Sequence, residues 1–158
     1  MSIDSDLFRS VLSRFATGVT IITTHDGEGR DHGMTVSAFS SLSLDPPLVM
    51  VVIGHDATMA PVMATADSFA VNILSDSQEA LSRRFSGKLD DRFADVGISR
   101  GPLGDALLDG ALATLVCRVV ARHLAGDHDI VVGDVEEGQA HDGRPLLYYR
   151  GGYAQLER

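Results

Sequence analysis

Gly33-Met34-Thr35-Val36-Ser37-Ala38-Phe39-Ser40-Ser41-Leu42-Ser43-Leu44-Asp45-Pro46-Pro47-Leu48 is the stretch on which the reading of this chain turns. Met34 to Phe39 has the makings of a strand, and Asp45-Pro46-Pro47 forces an extended corner ahead of a buried strand, Leu48 to Ile53. The hydroxyls of Thr35 and Ser37 fall on one side of the first strand, while Ser40, Ser41 and Ser43 crowd its exit. Two readings suit such a row: a grip on a polar ring edge and a phosphate, or a solvated strand edge followed by a serine-rich turn.

Working outward, Val19 to Thr24 is β-branched and meets Met34 to Phe39 across turn signals at Asp26-Gly27 and Gly29, so the two form a hairpin. Before them, Leu7, Phe8, Val11, Leu12 and Phe15 share one helical face and Gly18 follows as a stop, which predicts an opening amphipathic helix. After the corner, Thr58 caps a short helix through Ala66 and Phe69 to Leu74 is a second buried strand. Ser75 with Gln78 forms a capping box for a helix from Asp76 to about Phe85. Residues 86–110 are rich in glycine without a sustained period and read as a long irregular loop, a kind that is usually functional. Ala111 to Leu124 and Ile130 to Val135 pair around Gly126-Asp127, and Asp142-Gly143 turns the chain into its last strand, Leu146 to Arg150. About seven strands and three short helices, joined by tight turns, predict a mainly β fold closed as an antiparallel barrel.

A chain of 158 residues carries one core, so a single domain spanning 1–158 is expected. The formal charge of −9 repels polyphosphate and argues against a nucleic-acid partner. The longest apolar run, Leu48 to Ile53, is far short of the roughly 18 residues a membrane helix needs, and the N-terminus carries acids where an export signal has bases. The lone Cys117 sits in an apolar run and reads as a packed small hydrophobe in a reducing compartment, hence a cytoplasmic protein. The histidines at 25, 32, 55, 123 and 141 show no metal-ligand spacing, and no metal is expected.

Several side chains keep two readings. Asn72 in an apolar strand either makes a structural hydrogen bond or meets a ligand. Arg83, Arg84 and Lys88 are a solvated helix end or a phosphate clamp. His128 is a turn histidine held by Asp127 or Asp129, or it orients a dinucleotide. Tyr148, Tyr149 and Tyr153 suit a cofactor cover or a subunit interface.

Taken together, several segments in order resemble the flavin reductase family that supplies reduced flavin to two-component monooxygenases, a branch of the FMN-binding split-barrel superfamily. They are Phe8, Phe15-Ala16-Thr17-Gly18-Val19, the Gly33 to Leu48 stretch and Phe69-Ala70-Val71-Asn72-Ile73-Leu74, followed by Arg84-Phe85-Ser86-Gly87, Gly126-Asp127-His128 and Tyr148-Tyr149-Arg150-Gly151-Gly152-Tyr153. The resemblance implies a split barrel, a homodimer, one FMN or FAD per subunit near the interface, and a nicotinamide stacked on the exposed ring. On that footing Thr35, Val36 and Ser37 lie along the isoalloxazine edge, Ser40 and Ser41 near the ribityl chain, and Asn72 against the flavin. Thr58, with Arg84, Phe85 and Lys88, approaches the phosphate or the second nucleotide of FAD. His128 is the expected catalytic-site residue on the nicotinamide side, joined by Arg150 and Tyr153.

The implied reaction is hydride transfer from NADH to flavin, with NADPH disfavoured by the acidic charge, and the reduced flavin leaves for a partner monooxygenase. Direct hydride transfer needs no acid–base group, so the missing triad is no obstacle. The rivals are a flavin- or haem-binding module on the same barrel that does not turn over, and an oxidase that retains its flavin.

Overall fold

The computed structural model describes residues 1–157. A first helix α1 (Ser5–Leu12) precedes strands β1 (Thr17–Gly18), β2 (Thr20–His25), β3 (Asp31–Val36), β4 (Phe39–Ser43) and β5 (Leu48–Gly54). Then come α2 (Ala60–Met63), β6 (Ser68–Ile73), a 3-10 turn over Asp76–Gln78 and α3 (Glu79–Ser86). The chain finishes with β7 (Ile98–Arg100), β8 (Ala106–Leu108), β9 (Ala113–Ala125), β10 (His128–Ala140), β11 (Leu146–Tyr149) and β12 (Gly152–Gln155).

Seven strands form one antiparallel sheet in the order β3-β2-β6-β9-β10-β5-β4. Its two edge strands, β3 and β4, are consecutive in the chain and joined at Ser37-Ala38, so the sheet is rolled back on itself. Inside the roll lie Ile22, Val51, Ile53, Met63, Phe69, Val71, Cys117 and Val131. A second core, with Val19, Ile21, Leu74, Phe85, Leu108 and Leu146, sits between the sheet and α3. Strands β2 and β6 therefore bury both faces, which is why Phe69 to Leu74 carries an unbroken apolar run. Gly133 lets β10 close on the interior, because a Cβ there would stand 2.7 Å from both Phe69 and Cys117.

Several expectations are corrected. The strand read as Met34 to Phe39 is two strands: Phe39 N–H donates to the Ser37 carbonyl at 3.0 Å and the chain turns a corner there. Thr35 and Ser37 consequently do not share a side. Thr58 is not a helix cap; α2 starts at Ala60 with Pro61 in its first turn, and Met59 precedes it without a side-chain cap. The capping box of Ser75 and Gln78 is present but opens on the 3-10 turn. Residues 86–110 hold the β7–β8 hairpin, anchored where the Thr23 hydroxyl donates to the Ala106 carbonyl at 2.6 Å and the buried Asp105 meets His25 at 2.9 Å. Strands β4 and β12 lie beyond those read from periodicity.

Strand β5 alternates: Val49, Val51 and Ile53 face the core, while Leu48, Met50 and Val52 remain partly exposed on the outer side. An apolar outer face is a cost in water, and it marks where something else covers the sheet.

Candidate active site

That outer face is the floor of a groove of about 800 Å³. Met50, Val52 and Ile73 form the floor, the end of α1 and the residues after it (Leu12, Phe15, Thr17) form one wall, and the Ser37-to-Ser40 corner and Tyr148 to Gly151 close the rest. The wall is held by main chain. β1 pairs with β11, and the Arg150 N–H donates to the Ser13 carbonyl at 3.0 Å. Arg150 and Gly151 both adopt positive φ, 51° and 76°, making the tight turn that returns β12 along β11.

Three hydroxyls that line this groove are spent on main-chain carbonyls, Ser13 on Ser10, Thr20 on Val36 and Ser40 on Ser41, and the rest hold no such partner among the described residues. The Thr17 hydroxyl is buried with no hydrogen-bond partner among the described residues. Ser37 is exposed at the corner, Ser40 stands across from Met50 on the groove side, and the Arg150 side chain forms no ion pair among the described residues. An apolar slot with a few free donors along its edge suits a flat, mostly aromatic ring system with a polar rim. Thr17, Phe15, Met50 and Val52 are the site residues that periodicity missed. The signal that marks Met50 and Val52 is the apolar residue at every position of Leu48 to Ile53, where a one-faced strand would alternate.

A second cleft, of about 330 Å³, lies between Gly33, Thr58 and residues 87–93. Thr58 and Lys88 both line it, so these two expected phosphate contacts open on one cleft, and on a different one from Ser37 and Ser40. Ser41 pairs with Val49 on the edge strand and lines neither.

His128 opens β10 opposite Gly54 at the end of β5. Its Nδ1 lies 2.7 Å from Asp127, and that bond, with the charge of the ring, holds the Asp127 carboxyl below the usual carboxylate range. Gly54 follows Val52 on the same side of the strand, so His128 stands on the groove face, one side-chain step past its floor.

Other expected ligand residues are spent on the fold. The Val36 side chain is buried in the first core and its carbonyl accepts from Thr20. Thr35 donates to the Ser82 carbonyl of α3 at 2.6 Å. Asn72 is fully buried, donating to the Ile21 carbonyl at 3.0 Å and accepting from the Leu108 N–H at 2.9 Å. Arg84 donates to the carbonyls of Asp91, Arg92 and Ala94, and Phe85 is fully buried edge-on to Phe93. Tyr153 hydrogen-bonds Ser82 at 2.7 Å and lies under Arg83, outside the groove. These residues were expected at a cofactor, most of them through the family resemblance; in the fold Thr35, Asn72 and Tyr153 hold partners distant in sequence, while Arg84 and Phe85 hold the loop that follows them. Among the described residues no cluster of histidines, cysteines and acids could hold a metal, and no helix is long and apolar enough to cross a membrane.

Comparison with known proteins gives a consistent family. Residues 12–157 match the family described as flavin reductase like domain. An NADH-dependent flavin reductase from a Rhodococcus species is 44% identical over 151 residues, covering 94% of this chain and 85% of the relative. The reductase component of 4-hydroxyphenylacetate 3-monooxygenase from Thermus thermophilus is 41% identical, with 96% of each chain covered. Among solved structures, the NADH:FAD oxidoreductase of Streptomyces globisporus in complex with NAD and FAD fragments superposes with a TM-score of 0.92 at 31% identity, covering 99% of this chain and 97% of that one.

Proposed function

The chain belongs to the flavin reductase family, and from that premise we infer that it is an NADH-dependent flavin reductase, taking FMN or FAD and supplying the reduced flavin to a flavin-dependent monooxygenase. The observation that carries the reading is the groove: an apolar floor on the outside of the barrel sheet, with unpartnered hydroxyls at its edge. A flavin bound there supplies the redox chemistry by accepting a hydride from the nicotinamide. Everything asked of the protein is binding, orientation and exclusion of water.

Met50, Val52 and Phe15 give the ring an apolar bed, while Ser37 and Thr17 offer hydrogen bonds to its polar edge and Ser40, whose hydroxyl donates to the Ser41 carbonyl, can only accept there. Thr58 and Lys88 hold the phosphate end from the second cleft. His128 and Arg150 stand on the nicotinamide side. The apolar residues Leu7, Phe8, Val11, Leu12 and Phe15 are each more than half exposed, and α1 buries none of its residues. A second copy covering that face gives a homodimer and roofs the groove beside it. A buried, protonated Cys117 and the absence of a membrane-crossing helix among the described residues suit a cytoplasmic enzyme. The test is NADH oxidation by the purified protein against added riboflavin, FMN and FAD. Turnover proportional to free flavin is expected, and folded protein that oxidises no NADH with any of the three defeats the reading.

A further inference from the structure

The His128 imidazole has two nitrogens in different surroundings. Nδ1 faces the Asp127 carboxylate at 2.7 Å. A carboxylate only accepts, so the proton between them belongs to Nδ1. Nε2 is the atom nearest to the place a Cβ would take on Gly54, 3.3 Å from it, and so lies on the groove side of the sheet.

The turn that carries this ring is clasped from the neighbouring loop by a residue outside the site described so far. His55 N–H donates to the Asp127 carbonyl at 2.9 Å, and His55 Nε2 sits 3.2 Å from the Asp129 carboxylate. One residue thus grips the main chain before His128 and the side chain after it. Gly54, next to His55, leaves the room that the imidazole occupies.

We propose that Asp127 and His55 are positioning residues for the reductase: Asp127 keeps the His128 proton on Nδ1, and His55 holds the turn, so that Nε2 faces the groove as an acceptor for the carboxamide N–H of the nicotinamide. This rests on the reading of His128 as a nicotinamide-side residue. A ring nitrogen's protonation is set by the partner of the other nitrogen, so removing Asp127 releases the tautomer rather than the fold. All four side chains are more than a third exposed, so each pair is screened by water and the effects are moderate.

The experiment uses the full chain labelled with 15N-histidine. In the wild type at mildly alkaline pH, His128 is expected as the Nδ1–H tautomer. In Asp127→Ala it relaxes toward the Nε2–H form that free imidazoles favour, while Asp127→Asn, which still offers an acceptor oxygen, keeps much of the wild-type signal. His55→Ala gives a smaller change in the same direction and His55→Gln, which can still donate to Asp129, restores it. In kinetics, Asp127→Ala raises the Michaelis constant for NADH by about fivefold, on the order of 1 kcal/mol, with turnover within about twofold. An unchanged His128 tautomer in Asp127→Ala overturns the proposal. So does a changed tautomer with an unchanged Michaelis constant when His128→Ala itself raises that constant. Failure of the underlying reading looks different: His128→Ala then leaves NADH kinetics as in the wild type, whatever the spectra show.

Discussion

The groove and the lobe formed by α3 with residues 87–96 contain the same kinds of polar side chain and use them in opposite ways. In the lobe, Arg92 donates to the carbonyls of Gly33, Phe85 and Gly87, and Arg84 to those of Asp91, Arg92 and Ala94. Two guanidiniums thereby replace the regular hydrogen bonds that an irregular segment lacks. In the groove, the Thr17 hydroxyl, Ser37 and Arg150 hold nothing comparable. A polar side chain already saturated by backbone is a structural part whatever its type, and one left free beside an apolar floor is available to a ligand.

The strongest way to break this contrast is Arg92→Ala. It leaves three carbonyls without their charged donor and is expected to cost about 3 kcal/mol of stability, read as a lower denaturant midpoint. A variant as stable as the wild type would remove the distinction between the two regions. Lys88, exposed in the second cleft without an ion pair among the described residues, is the counter-case within the lobe. Lys88→Ala should leave stability nearly unchanged yet weaken FMN by roughly ten- to a hundredfold, the size of one charge-assisted bond, while riboflavin, which lacks the phosphate, is little affected. Equal losses for both ligands in a paired titration would take Lys88 out of the site.

Ser37→Ala sharpens the groove side. One neutral hydrogen bond is worth about 1 kcal/mol, so the flavin dissociation constant should rise roughly fivefold with the thermal midpoint unmoved. A lowered midpoint with unaltered flavin affinity would make Ser37 a structural residue like Thr35.

The smallest effect concerns Asp105, a buried acid whose second carboxylate oxygen has no partner among the described residues. Burial pushes its carboxyl up, against the opposing pull of the nearby Ser68 and His25. The folded chain then keeps a proton that the unfolded chain has already lost. The contribution of Asp105 to stability is therefore full below the ordinary carboxylate value and fades as pH rises through the raised one. Denaturation midpoints of wild type and Asp105→Asn across mildly acidic to neutral pH should converge or diverge accordingly, the wild type gaining relative to the variant as pH falls. A constant difference would show that Asp105 is not titrating.

Much of the fold is legible without coordinates. Asp26-Gly27, Gly126-Asp127 and Asp142-Gly143 mark turns that the structure makes, and the apolar stripe of α1 is real, although it faces outward. Cys117 reads as a packed small residue, and burial pushes its thiol up to about 12, which keeps it protonated and unreactive. The corner at Ser37-Ala38 escapes such reading because strand-like composition continues across it. The β7–β8 hairpin escapes because its strands are three residues long, too short to show a period.

Local signals carry the antiparallel β character, the order of hairpins and, through short motifs in order along nearly the whole chain, the family. Those properties depend on neighbours in the chain: turn residues, alternation and short segments. Which polar side chains keep their hydrogen-bonding groups free depends instead on contacts made when the barrel closes. Asn72 is tied to Leu108 across 36 positions, Thr35 to Ser82 across 47 and Tyr153 to Ser82 across 71. A hydrogen bond consumes a donor wherever its acceptor lies, and no local pattern reports a partner that folding brings from the other side of the barrel.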